Sequence, residues 1–251
     1  FAALLQVTNR YGGDLLKFGG DALLVFFGGE GHELRACQAA LQMQATMSRF
    51  SETPTSQGVF RLRMTVGLGT GPLFMANLGA EDGMEFAVMG RAMAQMAQAE
   101  DKASAGEIFM DAETYQAVAD QVTTDAQHPA DKAQDSFCQL AGLSDEGERT
   151  SSAGQPAHRD MTASGIYRTV SAADPLDQNK SLTWIADLAR RIHALELFLP
   201  PGLMDKIKVE PERIGIGGEY RPVTVLFANF YGIDEIIQEL GEACSAEITA
   251  I

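Results

Sequence analysis

Cysteine, positive charge and long apolar runs are all scarce in this 251-residue sequence. The three cysteines, Cys37, Cys138 and Cys244, are odd in number and far apart, so neither a disulfide framework nor a zinc-ligand spacing fits, and a reducing, cytoplasmic setting is expected. No apolar stretch approaches the roughly 20 residues that cross a bilayer, and no signal-peptide pattern is present. Nineteen Lys and Arg face 34 Asp and Glu, and the net charge of -15 argues against nucleic acid or an anionic membrane surface as a partner. What is there is enough chain for one large or two small domains. The sequence opens on Phe1 in what reads as mid-helix and closes inside another helical pattern, as a segment of a longer protein would.

The stretch Tyr11 to Phe27, YGGDLLKFGGDALLVFF, predicts two strands joined by a tight turn. Gly19-Gly20-Asp21 makes the bend, and the near-continuous apolar run from Ala22 to Phe27 predicts a strand buried on both faces. One carboxylate, Asp21, then sits at the mouth of a hairpin. It either shapes the turn, as Asp commonly does, or holds a divalent metal through hard oxygen ligands.

Before the hairpin, Phe1 to Arg10 reads as the last turns of a helix with Ala2, Leu5 and Val7 inward. After it, Glu33 to Phe50 carries Leu34, Cys37, Leu41 and Met47 near one helical face. Phe60, Leu62, Met64, Val66 and Leu68 alternate with polar residues, which predicts one long strand, and Leu73 to Leu78 returns after a Gly-Thr-Gly-Pro turn. This Gly-x-Gly is no phosphate loop, because no Lys-Ser/Thr follows and no helix starts. A strand over Glu85–Met89, a helix over Gly90–Lys102 and a short strand over Glu107–Met110 follow, and Asp111 is placed to cap a helix from Ala112 to Gln121. Met93 and Met96 sit at a core spacing. From about Thr123 to Gly165 regular patterning gives way to polar residues, with Cys138-Gln139-Leu140 a short strand and DEGERTSSAGQPAHRD an exposed or disordered loop. Leu182 to Phe198 is helical, and RPVTVLFANF, from Arg221 to Phe230, is a buried strand followed by a helix.

The ordered set KFGGDALLVFFGG, an amphipathic helix, LRMTVGLGTGPLFMANLG and FAVMGRAMAQMAQAEDKASAGEIFMD resembles the class III adenylate/guanylate cyclase catalytic domain, above all the soluble, bicarbonate-responsive adenylyl cyclases and their bacterial relatives. The resemblance runs from Phe1 to about Asp120 and resumes near Glu219. It implies an α+β, ferredoxin-like domain with a mostly antiparallel sheet and flanking helices. It also implies conversion of ATP to cAMP and pyrophosphate in intracellular signalling, with Mg²⁺ or Mn²⁺ held by two aspartates. Asp21 matches one of the two, and the other is expected on a strand upstream of Phe1. In the family, the facing domain supplies a base-binding Lys and, on a helix, an Asn followed four residues later by an Arg. The matching helical positions here are Ala94 and Gln98, which cannot do that work, and the base-selecting position falls at about Ala87. Lys17 matches a Lys that helps bind bicarbonate in a degenerate second site. It is either a nucleotide or anion effector ligand or a solvated strand residue.

The resemblance therefore implies a truncated first cyclase domain over 1–122, a linker with a disordered loop and a helix over 123–218, and the start of a second domain over 219–251. In that second copy Asn229 stands where the metal-binding version has an aspartate. The expected partners are ATP, the second cyclase domain of the same chain and an anion effector. The segment alone is expected to be inactive. The competing reading is a catalytically inactive pseudocyclase that serves as a regulatory or dimerisation module.

Overall fold

The computed structural model describes residues 1–80, 83–125, 136–153 and 182–199. In chain order the elements are α1 (Ala2–Arg10), β1 (Gly13–Gly19), β2 (Ala22–Phe27), α2 (His32–Met47), a 3-10 turn (Ser48–Phe50), β3 (Thr53–Thr55), β4 (Gly58–Phe60) and β5 (Val66–Leu68). They continue with β6 (Phe74–Ala80), β7 (Gly83–Met89), α3 (Arg91–Lys102), β8 (Ile108–Asp111), α4 (Ala112–Val118), β9 (Val122–Thr124), β10 (Phe137–Leu143), α5 (Asp145–Ala153) and α6 (Leu182–Glu196). Of the described residues, 1–72, 91–125 and 136–153 belong to one compact unit, and 73–80, 83–90 and 182–199 to another. Cys244, the expected strand from Arg221 to Phe230, Asn229 and the proposed second domain lie outside the described residues. No helix among the described residues is long and apolar enough to cross a membrane.

The first unit holds a four-stranded sheet in the order β5-β8-β10-β9, with β5 parallel to β8 and the other pairs antiparallel. On one face α2 and α4 build a core of Leu34, Cys37, Ala40, Ile108, Met110, Val118, Val122, Cys138 and Leu140. On the other face α3 packs on β5 and β8. Helix cover on both sides explains why all four residues of β8 are buried. A second cluster joins α1 to α2 through Leu4, Val7, Ala39 and Met43, and the β1–β2 hairpin docks on it with Leu23 and Phe27.

The contact between α3 and β5 is made by backbone. A Cβ added to Gly67 would stand 2.2 Å from the carbonyl oxygen of Met96, and one added to Gly69 would stand 2.4 Å from the amide nitrogen of Met96. Gly67 in β5 and Gly69 just after it form a packing seam on which the helix lies directly. Gln95 and Ala99 are the buried residues of α3. Met93 and Met96, expected in the core, are only half-buried, because the glycines bring the helix axis too close for a long side chain between helix and strand.

Several expectations change. In α1 the inward residues are Leu4, Val7 and Thr8, while Ala2 is exposed; Thr8 tolerates burial because its hydroxyl donates to the carbonyl of Leu4 at 3.1 Å. β2 is exposed at Ala22 and half-buried from Leu23 to Phe27, not buried on both faces. Among the described residues it pairs only with β1. The long strand expected from Phe60 to Leu68 is broken. Gly58–Phe60 pairs with Thr53–Thr55, only Val66–Leu68 finds β8, and Phe60 and Leu62 are exposed. The unit also continues past residue 122, where the first domain was expected to end. β9 and β10 complete its sheet, and Asp145–Ala153 of the expected loop is helical.

In the second unit β6, the strand expected after the Gly-Thr-Gly-Pro turn, forms a hairpin with β7 from Phe74↔Met89 to Ala80↔Gly83. The amide of Met84 donates to the carbonyl of Leu197 at 2.7 Å, just past the end of α6. The helical register expected for this stretch is present, but Leu188, Ile192 and Leu195 are exposed.

Two predictions follow from this core. Gly69→Ala forces a methyl group into the α3 backbone, and overpacking of this kind costs roughly 1–3 kcal/mol; urea denaturation should show the loss, whereas Ala at Gly19, where a Cβ meets nothing within 4 Å, should cost less. The second concerns the thiols. Burial, and then the neighbouring Cys138, push Cys37 up to about 12, while burial and then Asp111 push Cys138 up to about 11. The fold favours the neutral thiols, so their contribution to stability is complete below about pH 9 and is lost as the pH rises through those values. Denaturation midpoints should fall between pH 9 and 11, and Cys37→Ala should flatten that fall.

Candidate functional site

The hairpin turn consists of Gly20 and Asp21, closed by the pair Gly19↔Ala22. Gly20 has φ 67°, and no non-glycine residue among those described takes a positive φ. A positive φ at only the first central residue is the type II′ pattern, which needs glycine there and leaves the second place open to Asp. Asp21 is exposed. A Cβ on Gly19 or Gly20 would meet nothing within 4 Å, so the tip stands in open surroundings.

Lys17 is on the third rung below that turn, opposite Leu24. A bulge between Leu15 and Lys17 sets this register. Without the extra residue Lys17 would stand opposite Leu23, on the face that docks against α1 and α2. The bulge therefore turns the lysine onto the opposite face, with Asp14, Leu24 and Phe26, a common use of an inserted residue. The sequence pattern placed Lys17 near Asp21 but gave no sign of the bulge.

Among the described residues no group of three or more His, Cys, Asp or Glu is disposed to hold a metal ion. Asp21 fits a hard divalent cation as one exposed carboxylate on a defined turn, and by itself leaves most of the coordination shell to other ligands. Asp111, the other acid singled out, is structural as expected. It is buried, its Oδ1 accepts from the amide of Thr114 at 2.9 Å to cap α4, and its Oδ2 accepts from the amide of Thr70 at 3.3 Å. Thr70 and Thr114 share a hydroxyl hydrogen bond at 2.8 Å. On α3, Ala94 is half-buried and Gln98 exposed, while Gln95 is buried with its Oε1 lacking a partner among the described residues. Nothing in the sequence distinguished Gln95 from Gln98. Ala87 is half-buried in β7 of the second unit.

The family model for the adenylate and guanylate cyclase catalytic domain matches residues 1–133. The chain belongs to that family. It is a class III cyclase sequence, and its α+β architecture is that of the cyclase domain. Adenylate cyclase type 10 of Homo sapiens is 26% identical over 116 residues, which cover 46% of this chain and 7% of the relative. Adenylate cyclase type 10 of Oryctolagus cuniculus is 23% identical over 238 residues, 93% of this chain and 14% of the relative. The chain thus spans a small part of the length of these curated relatives. Among solved structures, the guanylyl cyclase Cya2 is 24% identical with a TM-score of 0.47, covering 58% of this chain and 78% of its own. The adenylyl cyclase CyaB from P. aeruginosa is 25% identical with a TM-score of 0.44, covering 57% of this chain and 76% of its own.

The two aspartates should separate cleanly in stability measurements on this cyclase chain. Asp111→Ala removes a helix cap and leaves a second, half-buried amide without its acceptor, a loss of about 2 kcal/mol. Asp21→Asn changes an exposed turn residue and should stay within about 0.5 kcal/mol of the parent sequence. Thermal or urea denaturation of both variants reads the difference.

Proposed function

We propose that this chain contributes the metal-bearing half of a nucleotidyl cyclase that converts ATP to cAMP and pyrophosphate. The observation that carries the reading is Asp21, an exposed carboxylate fixed on a two-residue turn, at the position that matches a metal aspartate in the family the chain belongs to. A Mg²⁺ or Mn²⁺ ion held there would neutralise triphosphate charge and lower the pKa of the ribose 3′-hydroxyl that attacks the α-phosphate. Asp21 is one ligand, and the reading assigns the second carboxylate to a further strand of the same sheet. The arrangement of the first unit supports this. The β1–β2 pair and the four-stranded sheet are separate, yet α2 packs against both β2 and β5.

Lys17, on the face of the hairpin opposite Leu23 and Phe27, supplies positive charge for an anion, either a nucleotide phosphate or an effector. Ala94 and Gln98 offer neither the carboxamide nor the guanidinium that would steady ribose and transition-state charge. Those groups are assigned to the second cyclase domain. Adenine over guanine is supported by the naming of the curated relatives. A cytoplasmic location is proposed on the cysteine pattern, with Cys37 and Cys138 in no disulfide among the described residues. The competing reading, an inactive regulatory module, is favoured by Asp21 belonging to no group of three or more metal-ligating side chains among the described residues.

Turnover decides between the two. In the enzyme that carries this chain, Asp21→Asn should lower kcat by about 100-fold or more with an unchanged circular dichroism spectrum, and Gln98→Ala should leave it within about twofold because that position faces no reacting group. An Asp21→Asn enzyme of normal activity overturns the metal assignment. The 251-residue chain alone, given Mn²⁺ and ATP, is expected to form no cAMP.

A further inference from the structure

Arg35, in the first turns of α2, reaches back to both ends of the β1–β2 hairpin. Its Nη1 donates to the carbonyls of Tyr11 and Gly12, each at 3.0 Å, immediately before β1 begins. Its Nη2 donates to the carbonyl of Gly28, immediately after β2 ends. One guanidinium therefore ties the strand that enters the hairpin to the strand that leaves it. The planar fork of arginine suits this task, because it presents several fixed donors at once, while a lysine ammonium acts as a single point of charge. Donors that carry charge also form the stronger hydrogen bonds. The first two carbonyls follow the end of α1, where a cation is favoured by the helix dipole as well.

The hairpin needs such a fixture. An isolated pair of strands is marginal in water, and the turn itself is open, since a Cβ at Gly19 or Gly20 would meet nothing within 4 Å. The hairpin's direction is set by Phe18, edge-on to the Phe1 ring at 5.4 Å, by the helix-facing residues Leu23 and Phe27, and by whatever fixes its base. β1 has seven residues, an arm of about 20 Å at strand rise, so a tilt of about 5° at the base displaces the tip by roughly 2 Å. That is comparable with a metal–oxygen bond.

We propose that Arg35 is a positioning residue for Asp21: by clasping both ends of the hairpin it fixes where the carboxylate at the tip is presented. The inference rests on the reading that Asp21 holds the divalent ion. Two measurements test it with Arg35→Met and Arg35→Lys, the lysine variant keeping the comparison open should the methionine variant fail to fold. Amide exchange on the 251-residue chain should quicken by about tenfold or more across Gly13–Phe27 in Arg35→Met, stay unchanged in Ile108–Asp111 and Phe137–Leu143, and be partly restored in Arg35→Lys. In the enzyme that carries this chain, the Mn²⁺ concentration for half-maximal activity should rise several-fold while KM for ATP holds. Equal quickening in both regions, no quickening, or a fall in turnover with an unchanged Mn²⁺ requirement overturns the proposal. An active Asp21→Asn enzyme removes the metal reading and with it the positioning role. That failure is told apart from a failed clasp because the difference in exchange persists.

Discussion

Helix α2 has to bury two faces at once, and the rest of the first unit depends on it. Leu34, Cys37 and Ala40 enter the core under the four-stranded sheet, while Ala39 and Met43 enter the cluster shared with α1 and the hairpin. Small residues make this possible, because alanines and a cysteine let strands and a second helix approach the α2 backbone from two directions. Gln38 is buried between them, and Gln44 donates from the same helix to the carbonyls of Met64 and Glu107, tying α2 to the two chain segments that lead into β5 and β8. A helix with one apolar stripe would hold either the sheet or the hairpin, and Asp21 would lose its fixed relation to the rest of the unit.

Much of this was legible in the sequence where the signal is local. The turn at Gly20-Asp21 follows from glycine's access to positive φ, and the Asp111 cap from the acid that precedes an apolar periodic run. α3 and α6 appear within a residue or two of where periodicity puts them. What failed was pairing over distance. The alternation from Phe60 to Leu68 is a genuine strand pattern, yet a strand forms only where a partner exists, and the partners differ along its length. The polar composition after Thr123 concealed β9, which is short, and of β10 only Cys138–Leu140 stood out, because its full length is recognisable only once β8 and β9 lie beside it.

The candidate site was legible in part for the same reason. Asp21 stands out because a turn acid between apolar arms is a local pattern. Lys17 could be placed near it by counting, but its face depends on a bulge that only the pairing register discloses. Arg35 carries no motif at all. Its role appears only when Tyr11, Gly12 and Gly28, distant in sequence, are brought to one guanidinium.

The glycine seam between β5 and α3 has a mechanical consequence. A helix seated on side chains can be re-aimed by a change of rotamers beneath it, since the layer is compliant. Where α3 crosses Gly67 and Gly69 it rests on peptide groups and has no such layer. At that crossing strand and helix move together, so the outward face of α3 changes by exchange of the residues it displays more readily than by rolling the helix to present others.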